Sequence, residues 1–349
     1  MCYKSQDTWT SLGAGGLSRV EADPRGVGMP IYLTTKDLRP LLDSSEELDN
    51  VLAAIERSVL DQHQGPPGHV IFSGVPLAGE DQMLVSVNAA GTAPLTVRVF
   101  PAGWNRDSSA SGTVMLAFDP QTGDLETIIQ AAELNRLRTS IPVAVGARHL
   151  ARKGSRVLGM LGSGDQARGT ARTILRAVPS IEEIVVWSPT PKNREAYAAE
   201  QGARLGVPIR PVTTSDEVVA AADVLMMAGR IQPGDDAFDE TLLKPGSTVL
   251  SMSGAAPRAL AESPGLYVPT NRRPRPVAIG FLGQHAPRPM TPPEDVRVLA
   301  DVITGARRAR DQPDEILLWE LANVYLWDQA IAAWVLDWVR RTGTGTQLS

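Results

Sequence analysis

The chain has 349 residues, of which 43% are hydrophobic, and this is enough to bury a full core and to form two domains. Its formal net charge of −5 gives no sequence-wide attraction to nucleic acid or to an anionic membrane. The single cysteine, Cys2, excludes an internal disulfide, and no stretch reaches the ~18 apolar residues of a membrane span. We therefore expect a soluble cytoplasmic protein with no metal site and no nucleic-acid or membrane partner.

The N-terminal third of the chain predicts a sheet. Residues 1–28 are rich in Gly, Ser and Asp, which is typical of a flexible extension. The segment MPIYLT, which begins at Met29, predicts a strand, and the segment from Ser44 to Glu47 predicts a capping box for a helix that ends near Gln62. Short apolar segments separated by Gly and Pro follow and predict an antiparallel sheet: HVIFSGVPL, QMLVSVNAA, LTVRVFP, VMLAFD and, after a PQTG turn, DLETIIQ.

The stretch from Arg156 to Arg194 reads strand, glycine turn, helix and strand, the order that a dinucleotide site requires. Gly162 permits a tight turn, Gly164 lets the backbone approach a pyrophosphate, and the phosphates are expected at the helix N-terminus. Because glycine-rich turns are common, an ordinary strand–helix turn is the alternative. The predicted cofactor-binding residues are Gly162, Ser163, Gly164, Asp165, Gln166, Ala167, Ser188, Lys192, Arg194, Ala228, Gly229 and Ser253.

The end of the second strand indicates which dinucleotide binds. Sites for NAD usually have Asp or Glu there, which accepts hydrogen bonds from the ribose. Here Trp187 and Ser188 end the strand, and Lys192 and Arg194 follow. A hydroxyl and two cations suit a 2′-phosphate, whose charge is about −1.5 to −2. We therefore expect NADP(H) to be favoured, with NAD(H) possible; the alternative is that both cations are solvated charges on the next helix.

Strands and helices alternate from the dinucleotide unit to about Leu282, which predicts a parallel, doubly wound sheet. Pro142 is expected in the first turn of the helix that leads into it. A final helix is predicted from Asp311 and Pro313 to about Gly343. Its wide apolar face is predicted to include Leu317, Leu321, Val324, Trp327, Ile331, Trp334, Val335 and Trp338, with Trp319 flanking it. We expect this face to make a homodimer contact; the alternative is that the N-terminal sheet of the same chain covers it.

From Met29 to Trp338 the order of motifs resembles the ornithine cyclodeaminase/mu-crystallin family. The motifs are the FDPQTG hairpin, Leu137-Arg138-Thr139, LGMLGSGDQAR, AADVLMMAG, LLKPGSTVLSMSG, LADVITG and a closing helix with Asp328. The resemblance implies an α/β fold in which a Rossmann-like doubly wound parallel sheet (136–310) is inserted in an α+β dimerisation and substrate domain (29–135 and 311–349). It also implies a homodimer and NAD(P)-dependent hydride transfer on a small-molecule substrate.

The sequence departs from the family where the family binds an amino acid. The family has a lysine before a Pro-x-Asn element, whereas LTVRVFPAGWN contains only Arg98. The acid/base aspartate of the family corresponds to Ala255, which cannot transfer a proton. Ornithine cyclodeamination is therefore not expected. The predicted catalytic residues are Arg98, Arg138, Tyr325 and Asp328, with His69 as a further candidate proton donor.

Together these features predict an NADP(H)-dependent reductase or dehydrogenase that acts on an imine or ketone. Two alternatives stay open: a conventional family enzyme in which Arg98 replaces the lysine, and an NADP(H)-binding protein without catalysis. Three of the residues also have purely structural interpretations. Arg138 could form an ion pair at the domain junction, Tyr325 could pack in an interface, and His69 could be a loop residue.

Overall fold

The computed structural model describes residues 28–65, 68–77, 82–102, 112–228, 238–252, 267–268, 296–320 and 326–348. Their strands are β1 (Ile31–Leu33), β2 (His69–Pro76), β3 (Gln82–Ala89), β4 (Leu95–Ala102), β5 (Val114–Phe118), β6 (Leu125–Gln130), β7 (Val157–Leu161), β8 (Glu183–Trp187), β9 (Ile209–Pro211), β10 (Val224–Met227), β11 (Thr248–Ser251), β12 (Tyr267–Val268), β13 (Leu317–Glu320) and β14 (Thr346–Gln347).

Their helices are α1 (Thr35–Asp43), α2 (Ser45–Gln64), α3 (Ala132–Leu150), α4 (Asp165–Ala177), α5 (Pro191–Leu205), α6 (Ser215–Ala221), α7 (Leu299–Ile303) and α8 (Leu326–Thr342). Within these described ranges, no helix is both long enough and apolar enough to cross a membrane. Helix α1 has no counterpart in the sequence prediction, because Pro40 in its interior argues against a helix there.

The strands form two sheets. The first has the order β14-β1-β6-β5-β4-β3-β2, and its strands from β2 to β6 are antiparallel neighbours, as predicted. The second has the order β12-β13-β11-β10-β7-β8-β9 with parallel pairs throughout. Because β7, the first strand of the dinucleotide unit, lies inside the sheet between β10 and β8 and the order reverses there, the predicted doubly wound fold is confirmed.

Helix α3 connects the sheets and corrects one prediction. It begins at Ala132, so Pro142 lies in its interior rather than in its first turn. The helix is buried on nearly all sides, with Ile141, Val143 and Ala144 fully inaccessible. A helix that is buried on nearly all sides lacks the polar–apolar period from which a helix start is recognised, and its burial offsets the ~3 kcal/mol cost of an internal proline.

The end of the chain corrects a second prediction. Leu317 and Trp319 lie on strand β13, which pairs with β11, and not on the final helix, which is described from Leu326 onward. All four residues of β13 are buried, and a short apolar run of this kind does not distinguish a strand from a buried helix. The expected division at 310/311 therefore precedes a strand of the second sheet. Leu321 and Val324 lie outside the described residues, and the domain limits stay predictions.

Helix α8 is covered by its own chain. It packs against α2, α3, β3 and β4, and Trp327, Trp334 and Trp338 are all at least 95% buried. The expected homodimer contact through these tryptophans is therefore wrong: the same chain covers them, and they are not available to a partner. The Ser44 hydroxyl accepts the Glu47 N–H, as the capping box predicts, but the Glu47 carboxylate contacts Trp334 and Arg341 instead of closing the box.

Candidate functional site

The carboxyl ends of three neighbouring parallel strands meet at the dinucleotide turn. Leu161, the last residue of β7, is in register with Trp187 at the end of β8 and with Met227 at the end of β10. The predicted residues Gly162, Ser188 and Ala228 directly follow these three strand ends. The sequence therefore brings them together at the edge of the sheet where ligands of such folds bind.

The backbone of the turn fits a dinucleotide. Gly162 has φ +119°, a conformation that residues with a Cβ rarely adopt, and its N–H donates to the Trp187 carbonyl at 2.8 Å. Gly164 is the N-cap of α4, and a Cβ placed on it would have no heavy atom within 4 Å. The open space beside Gly164 and the unpaired N–H groups of the first turn of α4 together fit a phosphate.

The three residues that follow the glycine turn, Asp165, Gln166 and Ala167, differ in their surroundings. Asp165 forms an ion pair with Arg136 at 2.5 Å, which fixes the start of α4 to α3. The Oε1 atom of Gln166 is buried without a hydrogen-bond partner and can accept a hydrogen bond from a ligand. Ala167 is fully buried, and its carbonyl accepts the hydroxyl of Tyr197 on α5 at 3.2 Å. Ala167 therefore serves packing rather than direct binding.

The end of β8 brings a hydroxyl and two cations to the turn. The Ser163 hydroxyl donates to the Ser188 hydroxyl at 2.9 Å, so the two predicted residues are in direct contact. The Nη1 atom of Arg194 donates to the Ser188 carbonyl at 2.9 Å, and Lys192 is exposed. Both cations lie in the first turn of α5, which has no acidic residue there. Cations at the positive end of a helix are unfavourable unless an anion lies close to them.

Arg98 on β4, Asn135 and Arg138 on α3, and Asp328 on α8 form a buried cluster. Arg98 donates to Asn135 Oδ1 at 2.8 Å and pairs with Asp328 Oδ2 through Nε at 2.9 Å. Arg138 Nε donates to the same Asn135 oxygen at 2.9 Å and lies 3.7 Å from Asp328 Oδ1. The side chains of Arg98 and Asp328 are 1% and 0% exposed, whereas that of Arg138 is 10% exposed. Arg138 is therefore the member of this cluster that reaches its surface.

Arg98 makes a further contact besides its ion pair with Asp328. Its guanidinium carbon lies 4.0 Å from the centroid of the Phe100 ring, a cation–π contact. One of its donors, Nη2, is buried and has no hydrogen-bond partner. An unsatisfied buried donor costs about 1–3 kcal/mol.

Asn135 and Arg136 connect the buried cluster and the dinucleotide turn, but neither was among the predicted site residues. Asn135 holds both arginines of the cluster, and Arg136, the next residue, contacts Asp165 of the dinucleotide turn. Both pairings connect residues that are far apart in sequence, so no local motif indicates them. The motif Leu137-Arg138-Thr139 lies beside both residues and was the only available signal.

The other predicted site residues lie either outside the described residues or away from the buried cluster. Tyr325, Gly229, Ser253 and Ala255 lie outside the described residues. His69 is exposed on β2, the edge strand of the first sheet, and not in the buried cluster. At the carboxyl end of β11, the hydroxyl of Ser251 is buried without a hydrogen-bond partner, which adds a polar group at the ligand edge. No group of metal-binding side chains occurs in the part of the chain that the structure describes.

The doubly wound sheet and its glycine turn define a dinucleotide-binding protein. The chain belongs to the ornithine cyclodeaminase/mu-crystallin family, whose model matches residues 96–343. It is 21% identical to a delta(1)-pyrroline-2-carboxylate reductase of Bacillus cereus over 91% of this chain and 99% of the relative. It is 28% identical to an iminosuccinate reductase of Paracoccus denitrificans, over 68% of this chain and 73% of the relative.

A solved structure shows the same fold. The delta(1)-pyrroline-2-carboxylate reductase of Thermococcus litoralis, in complex with NADH and L-proline, superimposes with a TM-score of 0.74 at 20% identity. The match covers 91% of this chain and 100% of that one. The predicted family and fold are therefore both confirmed.

Proposed function

We propose that the protein is an NADP(H)-dependent reductase of a C=N or C=O bond in a small molecule that carries an oxygen acceptor such as a carboxylate. The general class, a nicotinamide-dependent oxidoreductase acting on imines, is confirmed by the family and by the named reductases among its relatives. The preference for NADP(H) and the nature of the substrate are the proposal.

The observation that carries the proposal is the position of two arginines on α3. Arg136 contacts Asp165 at the dinucleotide turn, and Arg138, two residues later, belongs to the buried cluster. Because both arginines lie on one helix, the distance between the dinucleotide turn and the partly accessible guanidinium of Arg138 is fixed. A guanidinium group binds a carboxylate through two parallel hydrogen bonds, which fixes the orientation of a substrate.

The residues of the chain have distinct roles in this proposal. When bound, the dinucleotide supplies the hydride. The Gly162–Gly164 turn and the N-terminus of α4 bind its phosphates, and Arg138 orients the substrate. Asp328 contacts two guanidinium groups and acts as a positioning residue rather than as a proton donor. Tyr325 remains the proposed proton donor.

The NADP(H) preference rests on this chain's own residues, since the similar solved structure contains NADH. The Ser188→Asp variant places a carboxylate beside the proposed 2′-phosphate site and should raise the Kd for NADPH at least tenfold relative to that for NADH, as about 1.4 kcal/mol of repulsion does. Fluorescence titration with both cofactors measures this, and Ser188→Ala is the uncharged control. Tighter binding of NADH than of NADPH to the unaltered protein would contradict the proposal.

Substrate turnover separates the proposed reductase from the two alternatives. The protein is mixed with NADPH and with cyclic imines, α-keto acids with amines, or ketones, and loss of NADPH absorbance is followed. We expect turnover of an imine that carries a carboxylate, and a raised KM in Arg138→Ala. Ammonia and proline formed from ornithine would favour the conventional enzyme, and NADPH binding without any turnover would favour a non-catalytic protein.

A further inference from the structure

A cleft of about 300 Å³ lies on the outer side of α4, where α1, α3 and α5 approach it. Its lining includes no residue of the dinucleotide turn: its α4 residues lie one and two turns beyond Asp165, its α5 residues lie toward the end of that helix, and Arg136 is the residue that contacts both the cleft and Asp165. Two acidic residues, Asp43 and Glu133, also line it. Five arginines line it from all four helices: Arg39, Arg136, Arg168, Arg172 and Arg204.

Three of these arginines form no ion pair with a carboxylate in the part of the chain that the structure describes. Arg136 and Arg168 are in ion pairs with Asp165, Glu133 and Glu200. Arg172 donates instead to backbone carbonyls, at 2.6 Å to Leu42 and 3.1 Å to Asp43. Neither Arg39 nor Arg204 forms an ion pair with any carboxylate of the described ranges. The cleft therefore presents more positive charge than the surrounding acidic residues neutralise.

The positive charges act on one another. Arg172 is partly buried, and burial together with the charge of Arg204 outweighs the opposing charge of Asp43 and lowers the pKa of the Arg172 guanidinium. Two guanidinium groups that repel each other in a cleft weaken the folded state. An anion between them removes that repulsion and gains charge-assisted hydrogen bonds.

An uncharged residue points to the kind of anion. Gln201 on α5 is 5% exposed and lines the cleft, and its Oε1 atom is buried without a hydrogen-bond partner among the described residues. This oxygen can only accept a hydrogen bond. A ligand that satisfies the whole cleft therefore offers anionic oxygens to the arginines and a hydroxyl group to Gln201.

We propose that this cleft is a second binding site, which takes a small phosphate group accompanied by a hydroxyl donor. Hydrogen phosphate and the phosphate ester of a small hydroxyl compound both have this chemistry. The bound ligand contacts α1 in the N-terminal region and also α4 and α5, the helices that follow β7 and β8 of the second sheet. It is bound independently of the dinucleotide, whose proposed 2′-phosphate contacts lie at the opposite end of α5.

The test is calorimetric titration of the full-length protein saturated with NADPH, so that the dinucleotide site is blocked. Inorganic phosphate, glycerol phosphate and sulfate are the probes. We expect saturable binding of phosphate, of glycerol phosphate or of both, and the stronger of the two identifies the source of the phosphate group. Sulfate, which has no hydroxyl donor at neutral pH, should bind more weakly.

Three variants and a control locate the site. Arg39→Gln and Arg204→Gln should each raise the Kd of the bound probe about tenfold without changing the Kd of NADPH. Gln201→Leu should remove the preference for phosphate over sulfate. Arg210→Gln, an exposed arginine on β9 outside the cleft, is the matched control and should have no effect.

The proposal is overturned by three results: no saturable binding of either phosphate probe, equal affinity of the unaltered protein for phosphate and sulfate, or a loss of affinity in Arg210→Gln as large as in Arg204→Gln. The last result would indicate diffuse attraction by surface charge. Because NADPH is bound throughout and its affinity is measured separately, failure of this site is distinguishable from failure of the proposed reductase.

Discussion

Asp328 is the residue on which the buried cluster depends, because it is the carboxylate that pairs with both Arg98 and Arg138. The Asp328→Asn variant would leave a buried guanidinium without a counter-charge. We expect a loss of about 3–5 kcal/mol in the free energy of unfolding, the usual cost of removing one partner of a buried pair. Urea unfolding followed by circular dichroism measures it.

The matched control for this prediction is Asp337→Asn on the same helix. Asp337 pairs with Arg341 at 3.0 Å, but its side chain is 66% exposed, so the loss should be no more than about 0.5 kcal/mol. A similar loss in both variants would show that the cluster contributes no more than an exposed ion pair does.

At the scale of single residues, the sequence predicted the backbone of the site better than its side-chain contacts. Gly162 and Gly164 were identified because the conformation and space they provide are requirements of a local motif. Asn135 and Arg136 were not identified, since their partners Arg98 and Asp165 lie 37 and 29 residues away. Such pairings arise only from the tertiary fold.

At the scale of elements, α2 and α8 are joined through the carboxylate of Glu47. Trp334 donates to it at 3.0 Å, Arg341 at 2.9 Å and Asn50 at 3.2 Å. Burial raises the pKa of Glu47, but these hydrogen bonds outweigh burial, and the net pKa lies below its ordinary value. The ionised form of Glu47 therefore stabilises the contact between the two helices.

The Glu47→Gln variant should lower the free energy of unfolding at pH 7 by about 2 kcal/mol, since a charged hydrogen-bond acceptor is lost. A carboxyl group whose pKa is lowered by folding stabilises the protein above its unfolded pKa, and this stabilisation is lost as the pH falls through the folded pKa. The difference between variant and unaltered protein should therefore shrink below about pH 4.

Urea unfolding at neutral and acidic pH measures the effect of Glu47→Gln, with the exposed Glu46→Gln as control. A difference between Glu47→Gln and the unaltered protein that stays constant over this pH range would mean that the ionisation of Glu47 does not stabilise the contact.

Prediction of elements succeeded where the sequence alternates and failed where burial is complete. The strands of the first sheet and the unit from β7 to β8 have clear local patterns and were identified. Helix α3 and strand β13 are buried on nearly every side, and polar residues are buried in them together with apolar ones, so neither a period of 3.6 nor a period of 2 marks them.

For the molecule as a whole, the homodimer implied by the family resemblance remains a prediction, but helix α8 is no longer the surface expected to form its interface. The tryptophans of α8 are buried, whereas Ile71 and Val75 on strand β2 are 66% and 57% exposed. Strand β2 pairs only with β3 in the described residues, so it is an edge that exposes apolar side chains and backbone groups. An edge of this kind is normally covered, and a second copy of the chain would cover it.

Light scattering should therefore give a mass about twice the 37.3 kDa of the chain. Ile71→Lys should shift the protein toward the monomer while leaving NADPH affinity unchanged, because β2 lies in the other sheet. Leu242→Lys, at another exposed apolar residue, is the control. A monomeric unaltered protein at micromolar concentration would contradict the prediction of a dimer.

The contact between Trp334 and Glu47, which are 287 residues apart, also determines the order in which the molecule can be completed during synthesis. The central strands of the second sheet, from β7 to β11, leave the ribosome well before α8 and can pair as they emerge. The part of the apolar face of α2 that α8 covers stays exposed until α8 is made, and β1 lacks its neighbour β14 until then. The N-terminal region is thus completed only when α8 and β14 have been made, and until then its exposed apolar surface is open to aggregation or to a chaperone.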